Sequence, residues 1–147
     1  MKKIALMITA CCLAAGVFAD EKVEWLTSVP KALEKAKAEK KVVMLEFTGS
    51  DWCPPCKALH KNVMTSTEFE AYAAKNLILV ELDYPHAKEQ SDELKKANQN
   101  LLKKYAIQGF PTVILLNPEG KELGKDVGYG GETPAEFIAK LEKHRKS

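Results

Sequence analysis

The chain has 147 residues, of which 22 are Lys or Arg and 20 are Asp or Glu, so its formal net charge is +2. Hydrophobic residues make up 46% of the sequence and charged residues 29%. This composition is typical of a globular domain and excludes a largely disordered chain. The sequence lacks the basic excess of a nucleic-acid-binding protein, so no nucleic-acid partner is expected.

Residues 1–19 have the pattern of a secretory signal peptide. Lys2 and Lys3 precede a stretch that is almost entirely apolar and that ends at the small residue Ala19. A membrane anchor is disfavoured, because a span needs about 20 apolar residues and Asp20 follows directly. The sequence therefore predicts cleavage after Ala19 and export to the periplasm or the extracellular space.

A second processing route is open for the same leader. Residues 8–11 resemble a bacterial lipoprotein box, which would attach a lipid to Cys11. This is the minority interpretation, because only residues 4–10 would form the apolar stretch before the cut. Cleavage after position 19 instead leaves Cys53 and Cys56 as the cysteines of residues 20–147, for which we expect a single domain.

Helices and strands are predicted to alternate along residues 20–147. The predicted elements are a helix over 30–41, a strand over 42–47, a helix from about 53, a helix over 67–75 with a capping box at 67–70, a strand over 77–83, a helix from 91, a strand over 112–116, a weaker strand over 121–127 and a last helix from a capping box at 133–136. Nearly continuous apolar strands are typical of a sheet buried on both faces. This order predicts an α/β fold with a parallel sheet between helices and an antiparallel hairpin at its edge.

Cys53 and Cys56 lie at i and i+3, where a predicted strand turns into a helix. The free N–H groups and the positive dipole end of a helix stabilise an anion, so a thiol there loses its proton readily. Pro54 and Pro55 fit the first helical positions. Cys56, one turn along, can displace a mixed disulfide formed on Cys53. The pattern predicts thiol–disulfide exchange, with Trp52 as an apolar contact beside the attacking sulfur.

A structural disulfide and a zinc site are weaker interpretations of the cysteine pair. A structural disulfide is disfavoured, because the short loop that it closes constrains little of the unfolded chain. A zinc site is the better rival, since His60, His86 and His144 are available. Structural zinc usually takes four ligands with paired spacings, however, and the sequence has no second Cys-x-x-Cys. Redox chemistry without a metal or other cofactor is therefore favoured.

Two stretches resemble a known family. Residues 42–57, VVMLEFTGSDWCPPCK, and residues 105–123, YAIQGFPTVILLNPEGKEL, resemble the two signature stretches of the thioredoxin superfamily. The similarity covers residues 30–143. Within the superfamily, the turn FTGSDWC is similar to that of secreted thioredoxin-like proteins and of the C-terminal domain of DsbD-type reductases. The resemblance implies a three-layer α/β/α fold around a central mixed sheet.

The resemblance also implies roles for single residues. Cys53 and Cys56 match the attacking and resolving cysteines of the family, and Pro111 matches its cis-proline. Phe110 would then present its backbone N–H and C=O groups to an extended substrate segment. The residues themselves leave a trans peptide open, because a proline is also tolerated as the first residue of a strand.

Glu46 aligns with the buried acid that relays protons in thioredoxins. Burial would raise the pKa of such a carboxyl, which suits proton exchange with the Cys56 thiol. The alternative is a Glu46 that faces solvent or pairs with a lysine. The lysine that partners the acid in thioredoxins is not evident here, because Glu81 occupies that region.

The expected function is that of an exported thiol:disulfide oxidoreductase that acts on cysteines of other proteins. A proline pair cannot stabilise a thiolate by charge, so we expect a reductase with a potential nearer to about −270 mV than to about −120 mV. Such a reductase, expected as a monomer, would need a membrane-borne electron donor. The alternatives are a thiol oxidant or isomerase, a non-enzymatic module that binds partners through Trp52, Phe110 and Pro111, and a metal carrier.

Overall fold

The computed structural model describes residues 23–146. The predicted signal peptide, residues 1–19, and the alternative lipidation site at Cys11 lie outside the described residues. The helices and strands of the described part are β1 Trp25–Leu26, α1 Val29–Glu39, β2 Val42–Thr48, α2 Pro54–Leu59, a π-helical turn His60–Met64, α3 Thr67–Asn76, β3 Leu77–Asp83, α4 Asp92–Lys104, β4 Thr112–Leu116, β5 Glu122–Val127 and α5 Pro134–Arg145.

These strands form one mixed sheet in the order β1-β3-β2-β4-β5. Strands β1, β3 and β2 run parallel, whereas β4 runs antiparallel to β2 and β5 runs antiparallel to β4. The central strand is therefore β2, and the cysteine pair follows its carboxyl end. Helices cover both faces of the sheet, which confirms the predicted three-layer α/β fold.

The two faces of the sheet bury separate apolar clusters. The cluster on the first face packs β2 residues such as Leu45 and Phe47 against α1 and the residues at the end of α4. The cluster on the second face packs Met44 against α2, the π-helical turn, α3 and α5. Because successive strand residues point to opposite faces, Glu46 points to the second face, where α2 carries Cys56.

Several predicted elements are confirmed in detail. The strands predicted over 42–47, 77–83 and 112–116 match β2, β3 and β4 to within one residue. The capping box at 133–136 is present: the Thr133 hydroxyl accepts from a backbone N–H, and the Glu136 carboxylate accepts from the Thr133 N–H. The continuous apolar runs and the cap at 133–136 are local patterns, so the sequence alone could locate them.

Three details differ from the prediction. The capping box at 67–70 is wrong, because Ser66 caps α3 and its hydroxyl accepts the N–H of Phe69 at 3.2 Å. Helix α1 ends at Glu39, since Lys40 adopts a left-handed conformation with φ of 55°. The short strand β1 was not predicted. Within residues 23–146, no helix is long and apolar enough to cross a lipid bilayer.

Candidate active site

The turn after β2 places Cys53 at the start of α2. The N–H of Cys53 donates to the Gly49 carbonyl at 2.9 Å, which closes the turn. A Cβ at position 49 would lie 2.4 Å from the indole ring of Trp52, so a side chain there would displace that ring. Cys53 is the N-cap residue, and Pro54 and Pro55 start the helix as predicted. The attacking sulfur predicted from the sequence therefore lies at the positive end of α2.

The sulfurs of Cys53 and Cys56 are joined in a disulfide. The N–H of Cys56 donates a hydrogen bond to Cys53 Sγ at 3.4 Å. A backbone N–H and the positive end of a helix directed at a sulfur form the kind of environment that favours a thiolate. Both cysteines are buried, with 3% of Cys53 and 1% of Cys56 exposed.

Trp52 forms an aromatic surface beside the disulfide, with 37% of the residue exposed. Its indole N–H donates to the Tyr84 carbonyl at 2.7 Å. Its ring stacks on His86 with the centroids 4.6 Å apart, and the ring of Phe110 meets it edge-on at 5.6 Å. Contacts with two other loops thus fix the orientation of Trp52.

A set of hydrogen bonds that the sequence did not reveal joins this turn to the loop after β3. The Asp51 carboxylate accepts from the backbone N–H groups of residues 86–88 at 2.7 to 3.3 Å. These N–H groups lower the pKa of Asp51. The Ser50 N–H and hydroxyl donate to the Asp83 carboxylate at 2.9 and 2.6 Å. The partners lie 33 to 37 residues apart in the chain, so no local pattern indicates them.

The loop before β4 contains a cis peptide bond between Phe110 and Pro111, which confirms the cis form implied by the resemblance. Pro111 is buried, and its carbonyl accepts the N–H of Gly128 at 2.7 Å. The Phe110 ring contacts Trp52 and lies 5.4 Å from the ring of Tyr84. The structure therefore brings the predicted substrate-binding residues Trp52 and Phe110 together at one surface.

Glu46 is buried rather than facing solvent, with 2% of its surface exposed. Burial, followed by the charges of Glu81 and Asp83, raises the pKa of Glu46 to about 8. Among the described residues, no lysine forms a salt bridge with Glu46. The alternative of a solvent-facing or lysine-paired carboxyl is therefore wrong.

A cavity of about 290 Å³ connects the buried carboxyl with the resolving cysteine. Its buried lining includes Glu46 and Cys56, whereas Lys57, His60 and Lys88 are exposed at its mouth. A carboxyl and a thiol that share a cavity open to solvent are suitably placed for proton transfer.

Residues 29–145 match the family of thioredoxin-like domains. The chain belongs to the thioredoxin-like family. This thioredoxin-like protein is 34% identical over 124 residues to the disulfide bond reductase DsbH of Chlamydia pneumoniae, with 84% of this chain and 74% of the relative covered. It is 29% identical over 103 residues to the thiol:disulfide interchange protein DsbD of Actinobacillus pleuropneumoniae serotype 5b. That similarity covers 70% of this chain but 16% of DsbD.

Solved structures agree with this assignment. A structure of a DsbH oxidoreductase aligns with this thioredoxin-like protein with a TM-score of 0.79 and 30% identity, over 99% of this chain and 95% of the other. The shared fold and the Cys-x-x-Cys pair at a helix start provide the chemistry of thiol–disulfide exchange. The thioredoxin-like protein is a thiol:disulfide oxidoreductase.

The histidines considered as zinc ligands are distributed over separate parts of the thioredoxin-like protein. His60 lies at the mouth of the cavity, His86 stacks on Trp52, and His144 Nε2 lies 2.9 Å from a carboxylate oxygen of Asp126. In the part of the chain that the structure describes, no group of three or more His, Cys, Asp or Glu side chains is placed to hold a metal ion. These histidines therefore do not assemble into a ligand set around the cysteine pair.

Proposed function

We propose that this protein is an exported disulfide reductase in which Cys53 attacks substrate disulfides and Cys56 resolves the mixed disulfide. The observation that carries these roles is the hydrogen bond from the Cys56 N–H to Cys53 Sγ, because it favours the thiolate at Cys53. The similarity to a disulfide bond reductase of Chlamydia pneumoniae supports the direction of electron flow.

The reaction starts with attack by the Cys53 thiolate on one sulfur of a substrate disulfide. A bond forms between Cys53 Sγ and that sulfur, and the other substrate sulfur leaves as a thiolate that takes a proton from water. Cys56 then loses its proton and attacks Cys53 Sγ. The second substrate thiolate leaves, so two electrons have passed to the substrate and the Cys53–Cys56 disulfide remains.

Glu46 is proposed to exchange the proton of Cys56. Its carboxylate accepts that proton when Cys56 attacks, and its carboxyl returns a proton when a donor reduces the Cys53–Cys56 disulfide. A carboxyl with a pKa of about 8 suits both directions, because an unperturbed thiol has a pKa of about 8.5. The cavity that Glu46 shares with Cys56 supports this role.

Trp52, Phe110 and Pro111 are proposed to bind the segment around the substrate disulfide. The exposed ring of Trp52 and its edge-on contact with Phe110 provide an apolar surface next to Cys53. The cis peptide bond between Phe110 and Pro111 lies in the same loop. Extended protein segments, rather than small molecules, match such an open aromatic surface.

Export and the electron supply are also part of the proposal. The pattern of residues 1–19 supports cleavage after Ala19 and a periplasmic or extracellular location. A reductase in an oxidising compartment needs a source of electrons, for which we propose a membrane-borne thiol donor. We propose that the protein works as a monomer, because the proposed mechanism uses one cysteine pair.

Trapping tests the roles of the cysteines. The Cys56→Ser variant should accumulate mixed disulfides through Cys53 with substrate proteins and with insulin. The matched Cys53→Ser variant should capture none, and both variants should lose insulin reduction. Equal trapping by both variants, or by neither, would contradict the assigned roles, and the absence of both trapping and insulin reduction would favour a binding module.

Equilibration in glutathione buffers measures the reduction potential of the cysteine pair and so tests the proposed direction of electron flow. We expect a potential nearer to about −270 mV than to about −120 mV. A value more oxidising than about −180 mV would instead identify an oxidant or isomerase. Stoichiometric zinc or copper in the purified protein, lost from the Cys53→Ser variant, would identify a metal carrier.

A further inference from the structure

The cavity beside Cys56 contains a second carboxyl. Glu46 of β2 and Glu81 of β3 are direct partners in the parallel register, so their side chains point to the same face of the sheet. Both residues line the cavity of about 290 Å³ together with Cys56. Two carboxyl groups and the resolving sulfur therefore share one space.

Groups from several elements surround this pair. They are Asp83 of β3, Lys88 of the loop after β3, Lys57 of α2, His60 of the π-helical turn and, on the other neighbouring strand, the apolar Val113 of β4. Glu89, also of the loop after β3, lines a neighbouring pocket together with Glu81. The Lys57 ammonium donates to the Asp51 carbonyl at 2.8 Å, and the Lys88 ammonium donates to the Ser50 hydroxyl at 2.8 Å. Among residues 23–146, neither carboxyl of the pair takes part in a salt bridge.

The surroundings of the two carboxyls differ in a way that decides which one ionises first. Glu46 is buried, and the charges that act on it most, those of Glu81 and Asp83, are negative. Burial and Asp83 raise the pKa of the half-buried Glu81, but His60 and Lys88 act against that rise. Glu81 therefore gives up its proton at lower pH than Glu46, and its negative charge then opposes the ionisation of Glu46.

We propose that Glu81 is a positioning residue of the exchange reaction, whose carboxylate keeps the neighbouring Glu46 protonated until Cys56 leaves as a thiolate. The inference rests on the proposed function. When a donor thiolate attacks Cys53 Sγ, the bond to Cys56 breaks and its electron pair stays on Cys56 Sγ. Glu46 gives that sulfur a proton, and water at the mouth of the cavity returns a proton to Glu46.

The first measurement is the titration of the Glu46 carboxyl carbon by NMR in the wild type and in two variants. In Glu81→Gln the midpoint should fall by about one pH unit, because a neighbouring negative charge is removed. In Glu81→Lys it should fall further, because a positive charge replaces it. The neutral variant is sufficient if the lysine variant does not fold.

The second measurement is the rate at which dithiothreitol reduces the Cys53–Cys56 disulfide, as a ratio of variant to wild type across pH. The ratio cancels the titration of the reagent itself. Above about pH 8 it should fall up to about tenfold in Glu81→Gln, because a shift of one unit changes the protonated fraction of Glu46 by that factor. Toward about pH 5.5 it should return to one.

Two controls isolate the effect. Glu122→Gln and Glu122→Lys change an exposed residue of β5 and should leave both measurements unchanged. In a Glu46→Gln background, the Glu81 substitutions should give a ratio that does not vary with pH. An unchanged Glu46 midpoint in the Glu81 variants, or a pH-dependent ratio that persists in Glu46→Gln, would overturn the inference. Failure of the proposed function would appear separately, as loss of trapping by Cys56→Ser.

Discussion

The two faces of the sheet are built from the same strands but bury different chemistry. On the first face, the side chains of β2 and β3 form a continuous apolar layer under α1 and α4. On the second face, the apolar layer includes Met44 and Leu79 but gives way to Glu46 and Glu81 toward the carboxyl ends of the same strands. The interruption lies beside the end of β2 that leads to the cysteines.

The difference shows that the fold places a residue that lowers its stability beside the cysteine pair. An apolar side chain at position 46 would add to the core, whereas a buried carboxyl without a cationic partner opposes folding once it ionises. The first face should therefore determine how stable the protein is. The second face should determine how stability and reactivity depend on pH.

Substitution of Leu45 tests the contribution of the first face and should have the largest effect on stability. Leu45 is fully buried and directly precedes Glu46, but it points to the opposite face. Leu45→Ala should lower the free energy of unfolding by about 2–5 kcal/mol, because it removes buried methyl groups and leaves a cavity. Urea denaturation measures this loss.

Insulin reduction by the folded fraction of Leu45→Ala should stay within about twofold of the wild type, since the substitution leaves the second face intact. A folded Leu45→Ala protein that no longer exchanges disulfides would show that the two faces are not separable in this way.

Glu46→Gln tests the pH dependence that we assign to the second face. The pKa of Glu46 is about 8 in the folded protein against 4.5 as the reference value. Between these values the unfolded chain releases a proton that the folded protein retains. Stability is therefore fully present below about pH 4.5 and falls by up to about 1.4 kcal/mol per pH unit as pH rises toward 8.

Glu46→Gln removes this titration, so its unfolding free energy should be flatter than that of the wild type across the same window. Urea denaturation at several pH values makes the comparison. Parallel curves for the two proteins would mean that Glu46 titrates as a solvent-exposed carboxyl does.

The sequence predicted best those features that depend on neighbouring residues. Strand β3 and its buried apolar run could be located because every residue from 77 to 80 is apolar. The N-cap position of Cys53 and the helix start at Pro54 follow from a motif of a few residues. The cis bond at Pro111 could be expected only from the resemblance, because the residues alone also allow a trans proline.

The features that escaped prediction depend on contacts between distant parts of the chain. Because β2 is buried on both faces, its apolar pattern does not show which side chains face the cysteines. The sequence therefore did not decide whether Glu46 is buried or faces solvent. The pairing of Glu46 with Glu81 follows from the register of β2 on β3. The hydrogen bonds of Asp51 with residues 86–88 join a turn to a loop that have no local relation in the sequence.

Trp52→Ala tests whether the aromatic surface formed by Trp52 and Phe110 selects protein substrates. It should raise the KM for insulin about tenfold, because a large aromatic contact is lost from the binding surface. The rate with the small hydroxyethyl disulfide should change less than about twofold, since the sulfur chemistry is untouched. Trp52→Phe, which keeps an aromatic ring, should recover part of the loss. Equal losses with both substrates would indicate damage to the cysteine site instead.

Asp51→Ala tests how much the loop after β3 contributes to this surface, and we expect the smallest effect of the series. Without the carboxylate, the N–H groups of residues 86–88 lose their acceptor, and His86 is no longer held against Trp52. The KM for insulin should rise about two- to threefold with little change in kcat, because a partly mobile surface costs binding but not sulfur reactivity.

Glu89→Ala, an exposed residue of the same loop, provides the matched control and should behave as the wild type. If Asp51→Ala lowers kcat for insulin and hydroxyethyl disulfide alike, Asp51 acts on the cysteines rather than on docking. In that case, the contacts of Asp51 with residues 86–88 would affect both substrate binding and the reactivity of the cysteine pair. The two properties could then not be assigned to separate parts of the site.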